Sequence, residues 1–94
     1  MKCSRFVYSA HSLQAIINRN IAVEEVEETI NSGEVIASYE TDKPYPSKLV
    51  LNSINDKPIH VVAAQNPDML ECIVITAYVP DPLLWDREFK QKIK

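Results

Sequence analysis

His11 and His60 are the chain's two histidines, and imidazole is the one side chain that gains and loses a proton near neutral pH unaided. A converging pair of them can act as general base and general acid. Arg19, Lys43 and Lys48 bring positive charge that can hold a phosphate, Arg19 through a planar fork and the lysines as point charges. Tyr45 stands between Pro44 and Pro46 and can stack on a nucleobase. Ser47 and Tyr78 can place hydrogen bonds on a ligand. Each residue also has a plainer reading. The cations can be surface charges, Tyr45 can pack between its prolines, and Tyr78 can be sheet packing. His60 can be a half-buried strand residue bonded to a neighbour, and His11 a solvated residue at a helix start. Ser47 lacks the glycine-flanked elbow of a serine nucleophile and is not read as one.

Composition removes several alternatives. The chain of 94 residues contains a single glycine, so no glycine-rich phosphate loop exists. Cys3 and Cys72 match no zinc spacing, and two thiols do not make a disulfide framework. The expectation is a reduced, cytoplasmic chain with no metal and no cofactor. No apolar stretch approaches the ~18 residues of a membrane span, and no leader pattern is present. The net charge of −3 argues against an extended nucleic-acid footprint. That acidity is concentrated in Glu24, Glu25, Glu27 and Glu28, however. Arg19, Lys43, Lys48 and Lys57 lie closer to the polar residues above, so a local positive patch is compatible with an acidic total.

The elements that must position these residues follow from periodicity. Phe6–Tyr8 is β-favouring and can be an edge strand or a lead-in. Ser9 offers a helix N-cap. Leu13, Ile16, Ile17 and Ile21 keep helical spacing, which puts His11, Ala15 and Asn18 on the opposite side, with Arg19 at its edge. Asn20 suits the left-handed residue that ends the helix. Val23, Val26 and Ile30 give a second helix, stopped at Gly33, to which the left-handed C′ position is assigned. Glu34–Tyr39 alternates, with Val35 and Ala37 on one face. The loop 40–46 is braced by its two prolines. Ser47–Ile54, Pro58–Ala64 and Glu71–Tyr78 are strands joined by short turns. In the last, Ile73 and Ile75 share one face, and Cys72, Val74, Thr76 and Tyr78 the other. Asp81 and Pro82 predict a short C-terminal helix over 83–89. The sum is one α+β domain over 1–94. It has an N-terminal helical hairpin packed on an antiparallel β-meander of three to four strands, and a short C-terminal helix.

Several segments carry a likeness to a family. They are Tyr8-Ser9-Ala10-His11-Ser12-Leu13 with Arg19-Asn20-Ile21, Gly33-Glu34-Val35-Ile36, and Tyr39. Further on come Asp42-Lys43-Pro44-Tyr45-Pro46-Ser47, Pro58-Ile59-His60-Val61-Val62, Ile75-Thr76-Ala77-Tyr78, and Pro80-Asp81-Pro82 with Trp85. In that order they resemble the small bacterial proteins of domain of unknown function family 4258. That family is similar to the barnase/RelE-like ribonuclease group, and its members look like RelE/MqsR-like toxins of type II toxin–antitoxin pairs.

The resemblance implies a barnase/RelE-like fold and a metal-independent endoribonuclease. RNA would be its target, and its partner a cognate antitoxin with a zinc-finger and DNA-binding part. Its matching positions are His11, Arg19, the loop Lys43–Ser47 and His60; for that reaction His11 and His60 are the expected acid and base, and Arg19 with Lys43 or Lys48 is expected on the phosphorane. Tyr45 would lie on a base, and Ser47 and Tyr78 would supply hydrogen bonds. One position departs: the family often carries an arginine a turn after its histidine, and this chain has Ala15, which removes a cation beside His11. The alternative reading is a non-catalytic binding module of the same fold, taking a protein or small-ligand partner.

Overall fold

The structure is a computed structural model and describes residues 1–93; Lys94, last of the basic tail residues, lies outside them. Its elements in chain order are β1 (Arg5–Tyr8), α1 (Ala10–Asn18), α2 (Val23–Ser32), β2 (Glu34–Tyr39), β3 (Ser47–Ile54), β4 (Lys57–Gln65) and β5 (Glu71–Tyr78). The strands make one five-stranded sheet in the order β1-β5-β4-β3-β2. β2 to β5 form the expected antiparallel meander, and β1 adds a fifth strand parallel to β5. A strand therefore precedes the helical pair, and the sheet is mixed. Parallel neighbours need a long crossover between them, and everything from α1 to β4 supplies it.

Both helices lie on one face of the sheet. α1 packs on β5, and α2 on β3 and β4. Ile16, Ile21, Val26 and Ile30 meet Ile59, Val61, Ala63, Cys72, Val74 and Ala77 in the core. Ser9 caps α1 as its sequence predicts: its Oγ accepts from Ser12 N–H at 3.0 Å, and its own N–H donates to Ser12 Oγ at 3.1 Å. α2 has no side-chain N-cap, but Glu25 Oε1 accepts the Ala22 N–H at 2.9 Å. Asn20, at φ 58°, ends α1 in the left-handed region.

Gly33 has a different reason from the one expected. Its φ is −78°, which any residue adopts. A Cβ there would sit 2.5 Å from Thr29 O and 2.6 Å from Leu51 O, so α2 can pass directly into β2 only without one.

The segment after β5 corrects the sequence reading as well. Instead of a helix over 83–89 there are turns and one bridge, Trp85 to Lys92. Asp81 starts a helical turn by accepting the Leu84 and Trp85 amides. Asp86 Oδ1 then accepts the Glu88 and Lys90 N–H groups, each at 3.1 Å, and bends the chain back. This strap crosses the sheet face that the helices leave free. Cys3 and Cys72, expected as thiols, are joined in a disulfide spanning 69 residues of sequence, which ties the N-terminal segment to β5. No helix among the described residues is long and apolar enough to cross a membrane.

Candidate functional site

Two β-bulges decide which side chains reach the helix-free face. In β2, Val35 opposes Val50 and Ala37 opposes Leu49, so Ile36 has no partner. In β5, Val74 opposes Ala63 and Thr76 opposes Val62, so Ile75 has none. Strict alternation would put Tyr39 on the same side as Val35, and Tyr78 on the same side as Val74. Each bulge adds one residue and reverses the faces that follow. Tyr39, paired with Ser47, and Tyr78, paired with His60, both end on the helix-free face. The expected groupings of Val35 with Ala37, and of Val74 with Thr76 and Tyr78, are therefore split.

His60 sits between Ile59 and Val61, which point into the helical core, and so faces the other way. It is fully buried beneath the strap. Trp85 meets its ring edge-on, with centroids 4.4 Å apart. Its Nε2 lies 2.7 Å from the Phe89 carbonyl oxygen, and its Nδ1 lies 3.2 Å from the Tyr78 hydroxyl. A carbonyl only accepts, so Nε2 carries the hydrogen. Burial holds the imidazole below its usual pKa, opposed in part by that carbonyl. With the hydrogen on Nε2, Nδ1 is free to accept from the Tyr78 hydroxyl. Burial raises the Tyr78 phenol, and the nearby Tyr39 raises it further.

Arg19 joins this face from the side. β1 pairs only with Glu71 to Val74, so the rest of β5 is a free edge. From the C-terminus of α1, Arg19 Nη1 reaches that edge and donates to Thr76 Oγ1 at 3.1 Å and Ala77 O at 2.8 Å. The residue remains exposed. The Arg19 guanidinium is thus held against Thr76 and Ala77, and the Tyr78 phenol belongs to the next residue of the strand.

The other expected site residues fall in several places. His11 is exposed in the first turn of α1, about 12 Å along the helix axis from Arg19 at a rise of 1.5 Å per residue. It lies in the layer opposite His60, so the two histidines do not converge. Lys48 opposes Ala63 and Ser38 and points to the helix side, away from Tyr78. Ser47 is buried on the helix-free face, and its hydroxyl is engaged by Asp42 across the base of the proline loop. Lys43 is exposed and Tyr45 half-buried in that loop, whose Lys43–Pro44 peptide is cis. Two concavities flank the strap, one of about 480 Å³ between Gly33, Leu51 and Arg87, the other of about 660 Å³ between Trp85, Phe89 and Ile93. Neither includes Arg19 or Tyr78.

Sequence reasoning missed Tyr39 and Thr76. Their side chains reach the face through bulges, and no glycine or other local signal marks either bulge.

The architecture is that of a small α+β domain with a five-stranded mixed sheet, two helices on one face and a tyrosine–arginine cluster on the other. Comparison with known families places it further. Residues 8–79 match the model described as Domain of unknown function (DUF4258), and the chain belongs to that family. No curated protein and no solved structure matches the chain.

Proposed function

We propose that this protein is a toxin-type, metal-independent endoribonuclease whose site is the Arg19–Thr76–Tyr78 cluster of the helix-free face, not a histidine pair. The observation that carries the reading is Arg19, held on β5 at Thr76 and Ala77, next to a phenol that lies 3.2 Å from an imidazole nitrogen. Such a cluster can hold a phosphodiester and accept a proton beside it. Arg19 would bind the non-bridging oxygens and neutralise the charge that grows on them. The RNA 2′-hydroxyl would attack the adjacent phosphorus. Its proton passes to the Tyr78 oxygen while the Tyr78 proton moves to His60 Nδ1. The new 2′-O–P bond forms as the P–O5′ bond breaks. The leaving 5′ oxygen takes a proton from water, the hydroxide so formed is neutralised by the proton returned from His60 through Tyr78, and a 2′,3′-cyclic phosphate remains. Tyr39, 40% exposed on the same face, offers a ring for base stacking. The toxin reading carries with it a neutralising antitoxin protein and a site of action in the cytoplasm, where RNA is met and where the Cys3–Cys72 bond would be held reduced.

The test is cleavage of single-stranded RNA in the presence of a chelator. Tyr78→Phe and Arg19→Ala should each lower the rate by about 10²–10⁴-fold, the usual worth of one proton-transfer or charge-stabilising group. Cleavage that is lost in chelator, or that survives both substitutions, overturns the reading.

A second reading, a binding module without catalysis, is favoured by His60 having both ring nitrogens engaged. It predicts no cleavage. If the ligand is RNA, its affinity should fall steeply with salt; an apolar partner's should not.

A further inference from the structure

The family match ends at residue 79, yet two groups that surround His60 come from beyond it, the Trp85 ring and the Phe89 carbonyl. Phe89 is also one of the few residues other than glycine at positive φ, 59°. That conformation is unfavourable for a bulky side chain. The Asp86 carboxylate holds the turn by accepting the amides on either side of Phe89, and Phe89 N–H donates to Asp86 O at 3.0 Å. The turn aims the Phe89 carbonyl at a fully buried nitrogen 2.7 Å away.

We infer that the strap is a tautomer lock. By accepting the Nε2 hydrogen of His60, the Phe89 carbonyl keeps Nδ1 bare, so that the Tyr78 hydroxyl points its proton inward and presents its oxygen to a ligand on the open face. His60 is then a positioning residue acting through Tyr78, and the lock belongs to this chain's C-terminal extension, outside the matched region. The inference rests on the proposed role of Tyr78, but its physical content does not depend on RNA. With the other tautomer, Nδ1 would donate, the Tyr78 proton would turn outward, and the phenol would offer a ligand a donor in place of an acceptor.

The surroundings contain little that would shift the ring otherwise. β3 contributes Leu51 opposite His60, and β5 contributes Tyr78, with Tyr39 of β2 near that phenol. From the strap, Lys90 is paired with Glu34 at 3.3 Å, and Lys92 lies 5.9 Å from the Trp85 ring centre.

Nitrogen NMR of the imidazole side chains in the full-length protein tests the lock without any substrate. His60 should show a protonated Nε2 and a bare Nδ1 at about pH 8, above the span in which a free imidazole charges. Tyr78→Phe removes the Nδ1 partner and should leave that pattern intact. Phe89→Pro cannot hold a positive φ, so it should move the carbonyl and lose the single-tautomer signature while backbone spectra of α1 and α2 stay in place. A protonated Nδ1 in the wild type, or a pattern that follows Tyr78 and ignores Phe89→Pro, overturns the lock. If the pattern holds while RNA is not cleaved, the lock stands and the ribonuclease reading falls.

Discussion

Single residues carry two measurable consequences. Gly33→Ala would force a Cβ against two backbone carbonyls that belong to different elements, Thr29 of α2 and Leu51 of β3. Neither can give way as a side-chain tip would. The substitution should cost about 1–3 kcal/mol, the usual penalty of overpacking, read as a lower urea midpoint. His60 gives a pH effect. Burial depresses its folded-state pKa below the 6.5 of a free imidazole, so below that pH the unfolded chain binds the extra proton and the folded chain does not. Its contribution to stability is full above about pH 6.5 and declines as pH falls beneath it. Glu25, whose carboxylate is held below 4.5 chiefly by the Ala22 amide, loses its contribution only at lower pH, so the two effects separate. Urea midpoints measured between pH 7.5 and pH 5, taken as about the imidazole range, should drop in the wild type and flatten in His60→Asn. An equal slope in that variant would remove His60 as the source.

At the scale of elements, the bulges explain both what could be read from the chain and what could not. Ser9, Asn20, the spacing of Leu13, Ile16, Ile17 and Ile21 and that of Val23, Val26 and Ile30 announce two helices, because caps and helical spacing are local properties, although Ile17 stays exposed. The four meander strands are legible for the same reason. A bulge is not local: Ile36 and Ile75 look like ordinary strand residues, and only the ladder partners Val50/Leu49 and Ala63/Val62 reveal the extra residue. Once the count slips by one, every later side chain changes face. The cluster was therefore half visible, with Arg19, His60 and Tyr78 identifiable as residue types and their arrangement hidden. The C-terminal helix failed because Asp86 captures amides that a helix would need. A direct check is deletion of Ile75. Removing the unpaired residue leaves Val74 opposite Ala63 and Thr76 opposite Val62, so Tyr78 should stay beside His60. The proton NMR contact between the two rings should persist, and its loss would show that the bulge does more than keep count.

Across the whole molecule, the Cys3–Cys72 bond closes the largest loop. A crosslink enclosing that much chain removes about 4 kcal/mol of unfolded-state entropy in the chain-entropy model. Cys3→Ser should lower stability by about 2–4 kcal/mol, and a reducing agent should lower the wild type by a similar amount without further effect on the variant. Equal midpoints with and without reductant would mean that the bond contributes nothing. The sequence offered no sign of the pairing, since two cysteines 69 positions apart meet only once β1 lies along β5.

That parallel pairing also orders events in time. The meander from β2 to β5 is built from neighbours joined by short turns and can assemble early, because little chain has to be closed for each contact. Arg5 meets Glu71 and Tyr8 meets Val74 only after the intervening chain has folded back, so β1 docks late. Until it does, the Glu71–Val74 half of β5 is an open strand edge, able to recruit another chain. Newly made protein is thus most exposed to misassociation in the interval before its first strand arrives.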